Sequence, residues 1–496
     1  MTLQHSFLSV CILTFIAGCD SSDSPASAAV NKDTTEPEIT LSTLAANRSI
    51  YSSTYSINGT VTDNQEVTSL QLKVNDLTQN VTFNGGDFDV SFVLTPGLNN
   101  YELIALDAAG NGASMTDSIY FGQQVAAGGA HSGAIIDGQI WTWGRNNLGQ
   151  TGVGFTSKLN TDENHPTTPQ KIEVLDNEEL VTFTSLAFNQ NASIALDNEG
   201  DVWAWGDGDG GQLGLGDQDS VVLDVDYYTP QKINALKDIV SITRGYDHTV
   251  ALDKNGQVFT FGENDKGQLG NSSNEDADYP QLVTLTNIVL ITAASDSTYA
   301  IDSDGILWGW GENDNGQLGQ GSDDTNDYNT PVQIPLLEKV ISVAAGKAHV
   351  LALGESGKVY GWGLNASNQI GNTVEDTWPD EIYEAVELPW ITQAKAVWAN
   401  GNQSFVEKSD QLIYPWGFNG TGTLGLESDQ DPISPTVAIA DLNNVQDIAP
   451  GALHTIALRK DRSIFSWGWS FEGSLGIKEP INIWGYTVPQ KVEFNQ

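Results

Sequence analysis

The chain holds two cysteines, Cys11 and Cys19, in 496 residues, so no disulfide framework organises it. Positive charge is scarce: 21 Lys and Arg stand against 64 Asp and Glu, for a net charge of −43. No Lys/Arg cluster appears, which excludes the basic footprint of a nucleic-acid binder. The N-terminal apolar run, Phe7 to Ile16, is too short to span a bilayer as a helix. Sustained 3.6-residue periodicity is missing from the repeated part of the chain, which argues against helical repeats. There is no Gly-x-Ser-x-Gly elbow, His-Glu-x-x-His pair or phosphate-binding loop. Paired carboxylates stay open, because their pairing is spatial and 64 acids are available.

What the chain does have is repetition. Seven copies of an aromatic–Gly pair centre on Trp143-Gly144, Trp205-Gly206, Phe261-Gly262, Trp310-Gly311, Trp362-Gly363, Trp416-Gly417 and Trp467-Gly468. Several run on into Gly-Gln-Leu-Gly, as in Gly267-Gln268-Leu269-Gly270. Intervals between the glycines are 49 to 62 residues, a period of solenoids or propellers. Each repeat contains a hairpin. In the third, Thr249 to Leu252 leads through Asp253-Lys254-Asn255-Gly256 to Val258-Phe259-Thr260-Phe261. Strand, Asn-Gly turn and strand select a β-propeller. Pro-led segments recur at Pro169, Pro230, Pro280, Pro331 and Pro435, each taken here as leading the repeat that follows. Repeat one has none before it, and Val488-Pro489-Gln490-Lys491-Val492 lies at the far end. The expectation is that Lys491 to Phe494 completes the blade of Trp141 and Trp143, removing open edges.

These residues resemble the regulator of chromosome condensation repeat family, over about three quarters of the chain. The resemblance implies a seven-bladed β-propeller at 123–496, and makes protein binding the natural default for its loops. Repeat six, with Thr423-Leu424-Gly425, and repeat five, with Asn368-Gln369-Ile370-Gly371, depart from the pattern and imply altered loops there. The nuclear members' chromatin role does not carry over to a chain this acidic.

Before the repeats, Ile16-Ala17-Gly18-Cys19 resembles a bacterial lipoprotein cleavage box. It implies a signal peptide at 1–18, lipid attachment at Cys19 and anchoring to an envelope membrane, periplasmic or surface-facing. The opposing point is an n-region with His5 but no Lys or Arg. Residues 19–36 read as a flexible tether rich in Ser, Ala, Asp and Thr. Residues 37–122 show short alternating strands, such as Ser69 to Val74 and Phe88 to Leu94, and predict a small β-sandwich. With Ala105-Leu106-Asp107-Ala108-Ala109-Gly110-Asn111 it looks like bacterial immunoglobulin-like modules, which act as spacers. The fold class expected is thus all-β: a propeller preceded by an immunoglobulin-like sandwich.

His131, His248, His349 and His454 share one repeat position. Equivalent positions in different blades are spread around a ring, so a hydrogen-bond anchor is expected there, not a metal site. Asp207-Gly208-Asp209-Gly210 and Asp302-Ser303-Asp304-Gly305 fit hairpin turns, with calcium as the alternative. No cofactor is expected. Acidity either keeps an exported protein soluble or serves a basic partner. The candidate partner-binding residues are Tyr227, Tyr228, Tyr279, Tyr328, Trp378, Tyr383, Trp484 and Tyr486, set beside acids in long loops. On one face they would form a ring of aromatic anchors in a negative field. Otherwise each packs over the start of its neighbouring strand. The leading expectation is a non-enzymatic protein-binding or scaffold module. A hydrolase using loop carboxylates would show acids converging in one cleft; a structural surface protein or adhesin would show neither feature.

Overall fold

A computed structural model describes residues 33–42, 49–75, 77–158, 165–216, 225–321, 324–336, 338–372, 379–428, 430–478 and 484–494. Alternation builds the first unit. Along Val67–Val74 every second side chain from Leu70 onward is buried, the period of a half-buried strand. Two sheets result. One pairs Glu38–Leu41, Thr54–Thr62, Asp87–Val93 and Phe83–Asn84 in that order. The other runs Ser49–Ile50, Gly112–Phe121, Gly97–Asp107, Val67–Val74 and Leu77–Asn80. Ile57, Leu72, Leu103 and Ile119 fill the space between them, giving a β-sandwich.

The repeats form seven antiparallel sheets; all but the sixth are four-stranded. Blade one is Val125–Ala127, His131–Ile136, Gln139–Gly144 and Gln170–Ile172. The first strand of each sheet contacts the first strand of the next, and that of blade seven returns to blade one. The ring is closed, and the fold is a seven-bladed β-propeller with first strands innermost.

The repeated motif explains the packing. Trp143, Trp205, Phe261, Trp310, Trp362, Trp416 and Trp467 are all fully buried. Each wedges between blades, and at six seams it sits on the last glycine of the preceding motif. A Cβ on Gly270 would fall 2.7 Å from Trp310 Nε1, and this glycine has φ +63°. Both facts reserve the position for glycine. The carbonyl of the motif's second residue is then shared. Gln268 O accepts from Trp310 Nε1 at 2.9 Å and from Thr298 Oγ1 at 2.9 Å. Gln150, Thr423 and Ser474 carbonyls serve the same two donors from the following blade.

The histidines complete these seams. His131, His248, His349 and His454 bond through Nε2 to Ser193, Thr298, Ser404 and Ser132 hydroxyls of the next blade. Each hydroxyl proton is already given to a carbonyl, so each Nε2 donates and each ring is neutral. Burial holds the first three well below the usual range, at about 3, and His454 at about 4. The hydrogen-bond anchor expected from the sequence is what the structure contains.

Two expectations are corrected. The Pro-led segments do not lead the next blade; those of Pro169, Pro230, Pro280 and Pro331 give the outermost strand of the blade they follow, as Trp203 pairs with Lys232, and the Pro435 segment forms no strand. The C-terminal strand Gly485–Lys491 accordingly pairs with Ile464–Trp469 of blade seven, not with blade one. Blade one already has its outer strand. The chain end still reaches blade one, but through side chains: Phe494 lies edge-on to Trp141 at 5.5 Å and to Trp143 at 5.9 Å. Blade six departs from the others: among the described residues it has no outer strand, Gly371 of the preceding motif faces Trp390 in place of Trp416, and Trp416 Nε1 has no hydrogen-bond partner.

Sandwich and propeller touch at one end of the ring. Ser53 N donates to Val289 O of blade four at 2.9 Å, and Tyr120 OH donates to Thr184 O of blade two at 2.9 Å. Tyr51 OH hydrogen-bonds Asp447 of blade seven. All three acceptors sit near the start of an innermost strand. Innermost strands end, and third strands end, at the opposite mouth.

Candidate docking surface

At that opposite mouth the seven blades superpose by hydrogen bonding. The residue after the aromatic–Gly pair donates its amide to the loop after the innermost strand. The pairs are Arg145 to Ala130, Asp207 to Asn191, Glu263 to Asp247, Glu312 to Asp296, Leu364 to Ala348, Phe418 to Asn402 and Trp469 to Leu453, at 2.7–3.2 Å. Fixed backbone and variable side chains make this a presentation surface on a rigid scaffold.

The side chains divide by sign and polarity. Blades two to four carry Asp207, Asp247, Glu263, Asp296 and Glu312, with Asp265 and Asp314 exposed further out. Burial first, and neighbouring carboxylates next, raise Asp247 to about 6 and Glu263 to about 7. Asp207, Asp296 and Glu312 are also raised, burial again leading. Crowded carboxylates disfavour one another's ionisation. Local cations offset this in part, Arg244 lowering Asp207 and Asp247 and Lys266 lowering Asp296 and Glu312, but the raised direction holds. Arg244 lies buried beside Asp207 and Asp247 and donates to Gln212; Lys266 bridges Asp314 and Asp327 at 3.2 and 3.3 Å. Lys347 stands exposed at the edge of blade five.

Blades six and seven carry aromatics, and blade one sets Arg145 beside them. Phe418 is 38% exposed and Trp484 79%. Trp469 and Phe471 rings lie 5.4 Å apart, and Arg145 stacks over Phe471 at 5.1 Å while its Nε holds Glu472 at 2.5 Å.

The sequence-chosen aromatics are placed as follows. Tyr227, Tyr328 and Tyr486 occupy one register position, opposite the motif glycines Gly206, Gly311 and Gly468. Tyr228 and Tyr383 occupy the next, stacked against Gly149 and Gly316 of the preceding blade. Tyr279 is one residue further along its strand. Adjacent strand positions point to opposite faces, so these residues do not make one aromatic ring. Tyr328 OH is spent on Asp324 at 2.7 Å, and Tyr383 OH on Glu381. Of the set, Trp484 joins the exposed aromatics at the mouth, next to Ser470. Trp378 and Cys19 lie outside the described residues. Phe418, Trp469 and the acid arc were missed. Aligning the residue after each aromatic–Gly pair would have found them.

Other candidates resolve differently. Asp302 Oδ1 accepts from Asp304 and Ile306 amides at 3.0 Å, and its Oδ2 accepts from Trp308 Nε1, so it organises a turn. Asp33, Asp63 and Asp107 bring carboxylate oxygens within 4.8 Å of one another on the sandwich. Asp107 there is engaged by Asn111 at 2.7 Å. A cavity of about 650 Å³ beside Phe155, His165 and Trp203 contains none of the mouth carboxylates.

A closed seven-bladed ring with a shared aromatic–glycine seam defines a propeller of the regulator of chromosome condensation type. The chain belongs to the RCC1-like family: the RCC1-like domain matches residues 222–496, and the regulator of chromosome condensation repeat matches residues 137–196. It is 32% identical over 367 residues to the ultraviolet-B receptor UVR8 of Arabidopsis thaliana, covering 72% of this chain and 79% of the receptor. It is 29% identical over 259 residues to human E3 ubiquitin-protein ligase HERC2, covering 52% of this chain but 4% of that protein. Among solved structures it is similar to Prp20p of Saccharomyces cerevisiae, described with its binding to Gsp1p and histones. That likeness has a TM-score of 0.58 and 27% identity, covering 67% of this chain and 81% of Prp20p.

Proposed function

We propose that this chain is a non-enzymatic protein-binding module, lipid-anchored through Cys19 to a bacterial envelope membrane. The supporting observation is the asymmetry of the ring. The sandwich lies against one end, while the other presents an acidic arc beside exposed aromatics. Prp20p, which binds Gsp1p and histones, has the same fold and family, which favours a protein partner, and the acidic arc favours a basic one. The sandwich and tether act as spacers that hold the open mouth away from the membrane. The test is affinity capture from native envelope extracts with the full chain as bait. A protein enriched by the wild type supports the reading; none at low salt overturns it. Metabolic labelling with an alkyne fatty acid, lost in Cys19→Ser, tests the anchor.

One observation favours a second reading, hydrolysis by loop carboxylates. Asp247 and Glu263 titrate near neutrality, as an acid–base pair would. They lie on an open face. Turnover of chromogenic glycosides that disappears in Asp247→Asn and Glu263→Gln would favour that reading over binding.

A further inference from the structure

The acids and aromatics of the open mouth occupy matched places. After the aromatic–Gly pair, blades three and four carry Glu263 and Glu312 where blades six and seven carry Phe418 and Trp469. Their amides make the same hydrogen bond, so the four side chains start from equivalent backbone around one ring. We infer that this mouth docks a single protein segment of two parts: a lysine- or arginine-rich stretch over blades two to four, and an apolar side chain over blades six and seven. The inference rests on the protein-binding reading above and adds the partner's chemistry and its orientation.

Charge complementarity carries the first half. Glu263, Asp247 and Asp296 have no Lys or Arg within salt-bridge distance among the described residues; Lys266 is tied to Asp314 and Asp327, and buried Arg244, bonded to Gln212, lowers Asp247 from beside it without an ion pair. Burial first, and the repulsion of Asp247, Asp265 and Asp296 next, raise Glu263; a cation supplied from outside would relieve the repulsion. Aromatic area carries the second half. Phe418 is exposed and Trp469 half-buried beside it in the ring, and the neighbouring cation Arg145 is tied to Glu472. A metal ion would leave the aromatics unused. A neutral glycan would leave the acids unpaired.

The test uses the full chain and two fluorescent peptides, one with a lysine run followed by leucines, the other with lysines alone. Anisotropy titrations at low salt read the affinities. Wild type should prefer the lysine–leucine peptide by about tenfold. Asp247→Asn with Glu263→Gln and Asp296→Asn should weaken both peptides by about tenfold. The matched control, Glu38→Gln with Asp87→Asn and Asp89→Asn on exposed sandwich positions, should change them less than about twofold. Phe418→Ala with Trp469→Ala should erase the preference and keep lysine-only binding; Phe418→Ser alone serves if the pair fails to fold. Equal weakening in the arc variant and the control would overturn the inference, as would a preference that survives loss of the aromatics. An envelope partner kept by the arc variant would leave protein binding standing and remove this surface. No partner for wild type would remove both.

Discussion

Trp310 Nε1 reaches across a blade seam to the carbonyl of Gln268, 2.9 Å away, and shares it with Thr298. The aromatic of one blade is therefore seated by the glycine-rich turn of the preceding one. Trp310→Phe should keep most of the burial and lose one hydrogen bond, about 1 kcal/mol. Trp310→Ala should cost about 3–5 kcal/mol by opening a cavity. Urea midpoints of the two variants, ordered in that way, check the relationship.

Gly270 tests the same seam from the other side. A Cβ there meets the Trp310 indole at 2.7 Å with the backbone at φ +63°. Gly270→Ala should lower the unfolding free energy by more than about 1 kcal/mol. Gly110, also at positive φ (+88°) but with open space around a Cβ, should lose less on the same change. Equal losses at both sites would mean that backbone strain, not the indole contact, reserves Gly270.

The seam histidines set an acid limit. His131, His248 and His349 are held at about 3 in the fold against an ordinary 6.5. The unfolded chain binds more protons between those values, so stability contributed by neutral histidine is present above 6.5 and lost as pH falls toward 3. The slope is on the order of 1.4 kcal/mol per pH unit for each histidine. Melting temperature should fall through that window. His248→Gln should flatten the fall while lowering stability at neutral pH.

The acid arc works in the opposite sense. Asp247 and Glu263 are raised above their unfolded values, to about 6 and about 7. Their protonated forms favour the fold at low pH, and that contribution is lost as pH rises through 6 to 7. Asp247→Asn with Glu263→Gln should therefore raise the melting temperature at pH 8 and leave it nearly unchanged at pH 4. Melting curves at the two values decide the sign.

Tyr51 anchors the sandwich to the ring. Its hydroxyl engages Asp447, a fully buried carboxyl that burial pushes up to about 7. Tyr51→Phe removes that partner and should loosen the junction. The Ser53 amide, bonded to Val289 O at 2.9 Å, should exchange with deuterium faster in the variant. Unchanged exchange there would show that other contacts hold the junction.

The ring was legible because seven aromatic–Gly pairs and their hairpins recur at near-constant spacing. The assignment of the Pro-led strands was not. With uniform spacing, a strand between two motifs can belong to either, and only the register, Gly468 opposite Tyr486, decides it. The aromatic candidates failed for a related reason. Tyr228, Tyr279 and Tyr328 look alike along the chain but fall on three different register positions, so strand phase separates them. Phe418 and Glu263 stood in a fixed place after each motif glycine, where alignment of the repeats on one another would have exposed the division of the mouth.

The stretch from Tyr51 to Ser53 contacts blades seven and four, nearly across the ring from each other. It is a strap between opposite sides of the ring, so blades four and seven cannot move apart without breaking its hydrogen bonding at one end.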